Sequence, residues 1–285
     1  MINRFLLPAG YLPFIAPLSI FKYYEELRIK TGAAGFEYFY MVDQDPKIIN
    51  NSPIGGKIFG VHGPWTQASG YYKFIFRPKV AFNLEESAEK TLHFAKTVRA
   101  KYVVFHSIDI KTTFIQKIIK LAETLKLKIY LEPDMGDNTL ALAQKFKLPV
   151  VFDPATVEWN SENLLAEWEK AALFVAHVHL NEYQPKLKKD QGILKSKRYG
   201  ELIKKIKASG YQGFFTFEVS PLQSRWDFVV AGLFLLASYS GLADLFPIIR
   251  KWYAGISQKN LAQSINFAKL ALEGVAFKNA GEKLC

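Results

Sequence analysis

The chain has 285 residues, which suits one large α/β domain or two small ones. Hydrophobic residues make up 49% and charged residues 22%, near the globular norm, and this excludes wholesale disorder. Lysine and arginine outnumber aspartate and glutamate 37 to 26, a formal charge of +11, so the expected partners are anionic: a phosphorylated substrate, nucleic acid or an anionic membrane surface.

Cys285 is the only cysteine, so no disulfide forms within the chain, and a reducing, cytoplasmic setting is expected. Residues 1–21, "MINRFLLPAGYLPFIAPLSIF", are apolar but broken by Pro8, Pro13 and Pro17. A signal peptide carries an unbroken apolar stretch, so a first strand within 3–9 and a loop are expected instead. Further strands are expected at "GFEYFYMV" (35–42), "KIFGVHGPW" (57–65), "KYVVFHS" (101–107), "KIYLEP" (128–133), "PVVFDP" (149–154), "LFVAHVHLN" (173–181) and "GFFTFEVSP" (213–221). Helical patterns separate them. "NLEESAEKTLHFAKTVRA" places Leu84, Ala88, Leu92 and Ala95 on one face, with acids early and bases late, as a helix dipole prefers. "FIQKIIKLAETLK" and "TLALAQKFK" follow the same logic, and "YGELIKKIKASGYQG" ends a helix at Gly210.

Strand and helix alternate about eight times, which predicts a parallel sheet with helices outside. The strands are apolar almost throughout, as when both faces are covered. A doubly wound open sheet and a closed (β/α)8 TIM barrel both fit this alternation, and no Gly-x-Gly-x-x-Gly follows the first strand to mark a dinucleotide fold. No low-complexity linker divides the chain, so residues 1–285 are expected to form a single domain. Residues 222–250 then form a hydrophobic helical insertion after the last strand, and 260–277, "NLAQSINFAKLALEGVAF", form the closing helix. Within the insertion, Phe228–Ile249 is long and apolar enough to span a bilayer. Asp244, Pro247, Ser238 and Ser240 argue against a span, so a helix buried in the protein or in a homodimer interface is expected, and no membrane partner.

The strand ends carry the chemistry. The third strand ends at His62, the fourth at His106, the fifth at Glu132, the sixth at Asp153, the seventh at His179 and the eighth at Glu218. Acids and histidines often end strands or cap helices for structural reasons, but six consecutive strands are poorly explained that way. In a barrel the C-terminal strand ends ring one cavity, and polar residues there read as an active site. On the seventh strand, alternation puts His177, His179 and Asn181 on one face. Glu37 on the second strand suits a salt bridge inside the barrel as well as a catalytic part, and His93 lies on a helix as surface decoration.

"LEP", "VVFDP", "HVHLN" and "GYQGFFTFEVSP", in this order, resemble the xylose isomerase-like TIM barrels, the superfamily of the sugar phosphate isomerases/epimerases and the endonuclease IV family. "GAAGFEYF", "VHGPW" and "VVFHS" resemble the second to fourth strands of the same barrels, and the match runs from about residue 31 to 221. The resemblance implies one divalent metal ion held by Glu132, Asp153, His179 and Glu218. Carboxylates with one imidazole and no thiol suit Mn²⁺, Mg²⁺, Co²⁺ or Zn²⁺. His177, one pleat deeper, is a core residue or a partner of the ligands. The resemblance further implies that Glu132 and Glu218 act as paired bases, one removing a proton beside a ketose carbonyl and the other returning it through an enediolate. His62 and His106 would then contact substrate hydroxyls and Trp65 would wall the sugar ring.

Two departures bear on this. Many relatives read Asp-x-x-His after the sixth strand, where Thr156 stands here, and no Asp-x-His pair follows the seventh strand. A three-zinc phosphodiester site therefore lacks two expected ligands, and nucleic acid is disfavoured as a partner. The stretch from Lys186 to Arg198 holds six basic residues against Asp190. It is either a solvated loop or an anion clamp at the cavity mouth, with Lys186 as its first cation, favouring a phosphorylated sugar. The expected function is a metal-dependent sugar or sugar-phosphate isomerase/epimerase. The alternatives are an endonuclease IV-like phosphodiesterase and a non-catalytic sugar-binding barrel.

Overall fold

The computed structural model describes residues 5–9, 19–40, 45–64, 83–107, 110, 112–133, 139–160, 163–184, 189–191, 197–217, 265–266 and 268–269. Its strands are β1 (Phe5–Ala9), β2 (Gly35–Phe39), β3 (Ile58–His62), β4 (Tyr102–His106), β5 (Lys128–Glu132), β6 (Val150–Phe152), β7 (Val175–Leu180), β8 (Glu182–Gln184), β9 (Lys189–Gln191) and β10 (Phe214–Phe217). Strands β1 to β7 and β10 pair in parallel and close on themselves in the order β1-β10-β7-β6-β5-β4-β3-β2. The alternation left an open sheet and a barrel in play; closure by the β1–β10 and β1–β2 pairs makes it a (β/α)8 barrel.

The helices follow the residues that start and stop them. Helix Leu84–Thr97 begins at Asn83, whose side chain accepts hydrogen bonds from the backbone N–H of Glu85 and Glu86. Its Ala88, Thr91, Leu92 and Ala95 are buried while His93 is exposed, as the periodicity predicts. Helix Lys197–Ala208 stops before Gly210, which takes a positive φ of 76°. The sixth strand is shorter than its apolar run suggests. Pro154 opens helix Pro154–Asn160, and the Asp153 carboxylate accepts from the Thr156 N–H, so the chain has already turned out of the sheet. The helices Pro154–Asn160 and Leu164–Ala171 were not read from the sequence, nor was the antiparallel hairpin of β8 and β9.

Two apolar layers result. The larger lies between the barrel and the helices and includes Phe36, Leu92, Ile118, Trp168 and Phe217. Ile265 and Ala268, from the segment expected to close the barrel, are fully buried in it, and Lys269 Nζ donates to the Thr31 carbonyl at 2.7 Å. The smaller fills the barrel floor with Leu6, Tyr102, Val104 and Val151. Most of the expected 222–250 insertion and 260–277 helix lies outside the described residues, as do Trp65, Lys186 and Glu218. Among the described residues, no helix is long and apolar enough to cross a membrane.

One glycine positions the site from below. A Cβ at Gly60 would lie 2.2 Å from Cε2 and Cζ of Tyr102, whose ring crosses this point of β3 to reach Glu37. Gly60→Ala is expected to destabilise the fold by about 1–3 kcal/mol through overpacking. Because the clash is with a single ring, the penalty should vanish in a Tyr102→Ala background. A double-mutant cycle by chemical denaturation checks this, and equal penalties in both backgrounds would contradict it.

Candidate active site in the barrel

The inward side chains form two polar tiers. The upper tier lies at the strand ends. His62 Nδ1 donates to the Gly63 carbonyl at 2.8 Å, which turns Nε2 toward Glu132 Oε2 at 2.6 Å. His179 Nδ1 lies 2.8 Å from the other oxygen, Oε1. His106 Nε2 stands 3.7 Å from Oε2. Three imidazoles from β3, β4 and β7 thus converge on one carboxylate of β5, and Phe39 stacks on the His62 ring at 4.6 Å. Burial alone would raise the Glu132 pKa. His179, His106 and His62 outweigh it and hold the carboxyl well below its ordinary range, so it is ionised at neutral pH. His106 is the most accessible of these imidazoles, its side chain 15% exposed against 3% for His62 and 0% for His179. Burial, only partly opposed by Glu132, pushes its pKa down to about 3, so His106 is neutral.

The lower tier is one pleat deeper. Glu37 of β2 is fully buried and spans both histidines of β7: Oε1 accepts from His179 Nε2 at 2.9 Å, and Oε2 faces His177 Nε2 at 2.9 Å. Tyr102 of β4 donates to Oε2 at 2.6 Å and Thr216 of β10 at 3.3 Å. His177 Nε2 also lies 2.9 Å from Thr216 Oγ1. Burial works to raise the Glu37 pKa, but His177 and His179 outweigh it and keep the carboxyl well below its usual range. Burial lowers the pKa of His177, against the pull of Glu37, and keeps that ring neutral.

Of the six strand-end residues, Glu132, His179, His62 and His106 are brought together. Asp153, 4% exposed, accepts at Oδ2 from Asn181 Nδ2 at 3.0 Å and at Oδ1 from the Thr156 N–H. Glu37 is engaged inside the barrel, accepting hydrogen bonds from His177 and His179. The parts not singled out in the sequence are Tyr102, Thr216 and the clamp of Asn181 on Asp153. A signal for the lower tier was present. Counting back two residues from His179 and from Glu218 gives His177 and Thr216, both inward-facing and both polar.

The donor set fits a divalent cation. Among the described residues two groups bring three ligand atoms within 4.8 Å of one another: His62, Glu132 and His179, and Glu37, His177 and His179. Buried carboxylate oxygens and imidazole nitrogens facing one another are the donors that borderline ions take.

No protein-family model and no curated protein matches the sequence. Solved structures do match the fold. D-allulose 3-epimerase from Methylomonas sp. aligns with a TM-score of 0.61 at 12% identity, over 95% of this chain and 99% of its own. D-psicose 3-epimerase from Clostridium cellulolyticum, solved with D-tagatose, aligns at 0.60 and 12%, over 94% of this chain and 99% of its own. A xylose isomerase domain protein from Planctomyces limnophilus aligns at 0.57 and 13%, over 85% and 99%. The chain shares the (β/α)8 barrel fold of these structures.

Proposed function

We propose that this chain is a divalent-metal-dependent sugar or sugar-phosphate isomerase/epimerase, with residues 1–285 acting as one barrel domain. The observation that carries the reading is the convergence of His62, His106 and His179 on an ionised, buried Glu132 at the C-terminal ends of the strands. The activities of the D-allulose and D-psicose epimerases that share the fold support it. Glu132 and His179 are two of the four residues that would hold the ion; Asp153 and Glu218 are the others. A bound divalent ion supplies a Lewis acid for the substrate oxygens.

The chain's own residues do the rest. Glu132 takes the proton beside the carbonyl, and Glu218 returns one from the opposite side, through an enediolate. His62, pinned between Gly63 and Glu132, holds the base in place. Neutral His106 faces the cavity and meets a substrate hydroxyl. Asn181 orients Asp153. Trp65 walls the sugar ring, and Lys186 with its neighbouring cations attracts a phosphate. No observation favours the phosphodiesterase or the non-catalytic barrel.

The test is solvent-deuterium exchange. Ketoses and ketose phosphates are incubated with the protein and Mn²⁺ in heavy water, and the carbon next to the carbonyl is followed by NMR. Exchange and epimer formation are expected, with loss of both on chelation and recovery on adding Mn²⁺. Absence of exchange with every sugar, together with no uptake of Mn²⁺ or Zn²⁺ at saturation, would remove the proposal.

A further inference from the structure

We infer that Glu37 is a positioning residue: it fixes which nitrogen of His179 carries the proton, and thereby turns the other nitrogen toward Glu132 as a ligand. The inference rests on the reading of His179 as a metal ligand. Glu37 lies on the opposite side of that ring from the upper tier, fully buried.

The geometry leaves the carboxylate little freedom. Its Oε1 faces His179 Nε2 at 2.9 Å, while Oε2 gathers His177 Nε2, the Tyr102 hydroxyl and the Thr216 hydroxyl. A carboxylate offers only acceptors, so His179 Nε2 must be a donor. By the same rule Nδ1, 2.8 Å from Glu132 Oε1, also donates in the metal-free protein, and that proton is the one a cation displaces, because Glu37 holds the other on Nε2. A carboxylate behind a ligating imidazole sets both its tautomer and its ring plane. Tyr102 and Thr216 act on Glu37 in the same way, and Gly60 leaves the space through which the Tyr102 ring reaches it.

Glutamine at this position separates a structural role from a positioning one. Glu37→Gln keeps the size but replaces one acceptor by an N–H₂ donor. The amide oxygen is expected on the Oε2 side, where three donors wait. The N–H₂ then faces His179 Nε2, which has to accept, and the ring's one remaining proton is held on Nδ1, on the side of Glu132. The variant should fold yet bind metal poorly.

The experiment has two readouts on wild type, Glu37→Gln and His179→Ala. Long-range ¹H–¹⁵N NMR of the metal-free proteins reads the imidazole proton: on Nε2 of His179 in wild type, absent from it in Glu37→Gln. Calorimetric titration with Mn²⁺ alone should show affinity about 10- to 100-fold weaker in Glu37→Gln. A bare Nε2 in wild type, or wild-type Mn²⁺ affinity in Glu37→Gln, would overturn the inference. If His179→Ala also keeps wild-type affinity, the ligand reading itself has failed; if it loses Mn²⁺ while Glu37→Gln keeps it, only the role of Glu37 has. Should Glu37→Gln not fold, Tyr102→Phe combined with Thr216→Val carries the test. It retains the carboxylate but removes two of its clamps, and a several-fold loss of Mn²⁺ affinity is expected, unchanged affinity again being the contrary result.

Discussion

Glu132→Gln is expected to fold normally and to lose turnover by roughly 10²-fold to 10⁴-fold, the usual worth of an acid–base group. Glutamine has the same size and suits a site that is 1% exposed. It also finds hydrogen bonds. His62 keeps its Nδ1 proton on the Gly63 carbonyl, so its Nε2, once neutral, accepts from the new amide N–H₂, and the amide oxygen accepts from His179 Nδ1. What is lost is the negative charge toward which three imidazoles point, and with it the proposed base and ligand. Deuterium exchange, Mn²⁺ titration and thermal melting on the same preparation separate these effects. Turnover close to wild type in a well-folded Glu132→Gln would show that this carboxylate is not the base.

Trp168→Ala is expected to cost about 3–5 kcal/mol of folding stability, the range for removing a buried aromatic side chain. Trp168 is 1% exposed in helix Leu164–Ala171. It meets Phe152 of β6 edge-on at 5.1 Å and Tyr211 at 6.0 Å. No neighbouring side chain can fill the space without leaving its own contacts, because interiors pack like solids. The Tyr211 hydroxyl donates to the Phe214 carbonyl, so the loss would spread from β6 toward β10. Denaturant unfolding measures it. Trp168→Phe, which keeps a ring, should cost clearly less; an equal loss, or one below about 1 kcal/mol in Trp168→Ala, would contradict the packing argument.

The strand ends show what a sequence carries and where it stops. His62, His106, Glu132 and His179 were identifiable because a strand fixes its side chains by alternation, and a parallel barrel turns every C-terminal end to one side. Glu37 was visible as an acid in an apolar strand, but its role was open. Its partners stand 65, 140, 142 and 179 residues further along the chain, as Tyr102, His177, His179 and Thr216. Local patterns hold no information on contacts at such separations. Gly60 is a similar case: in the sequence it is a weak point in a strand, and only the ring of Tyr102 gives it a purpose.

The alternation of strands and helices, the helix boundaries at Asn83 and Gly210, and the set of residues offered to the cavity were determined by the sequence alone. Each depends on a period or a cap spanning a few neighbouring residues. Closure of the sheet, the division of the inward residues into two tiers, and the hydrogen bond from Asn181 to Asp153 were decided by the tertiary structure. These depend on strand register and on the sharing of few acceptors among many buried donors. That balance exists only once all eight strands are in place.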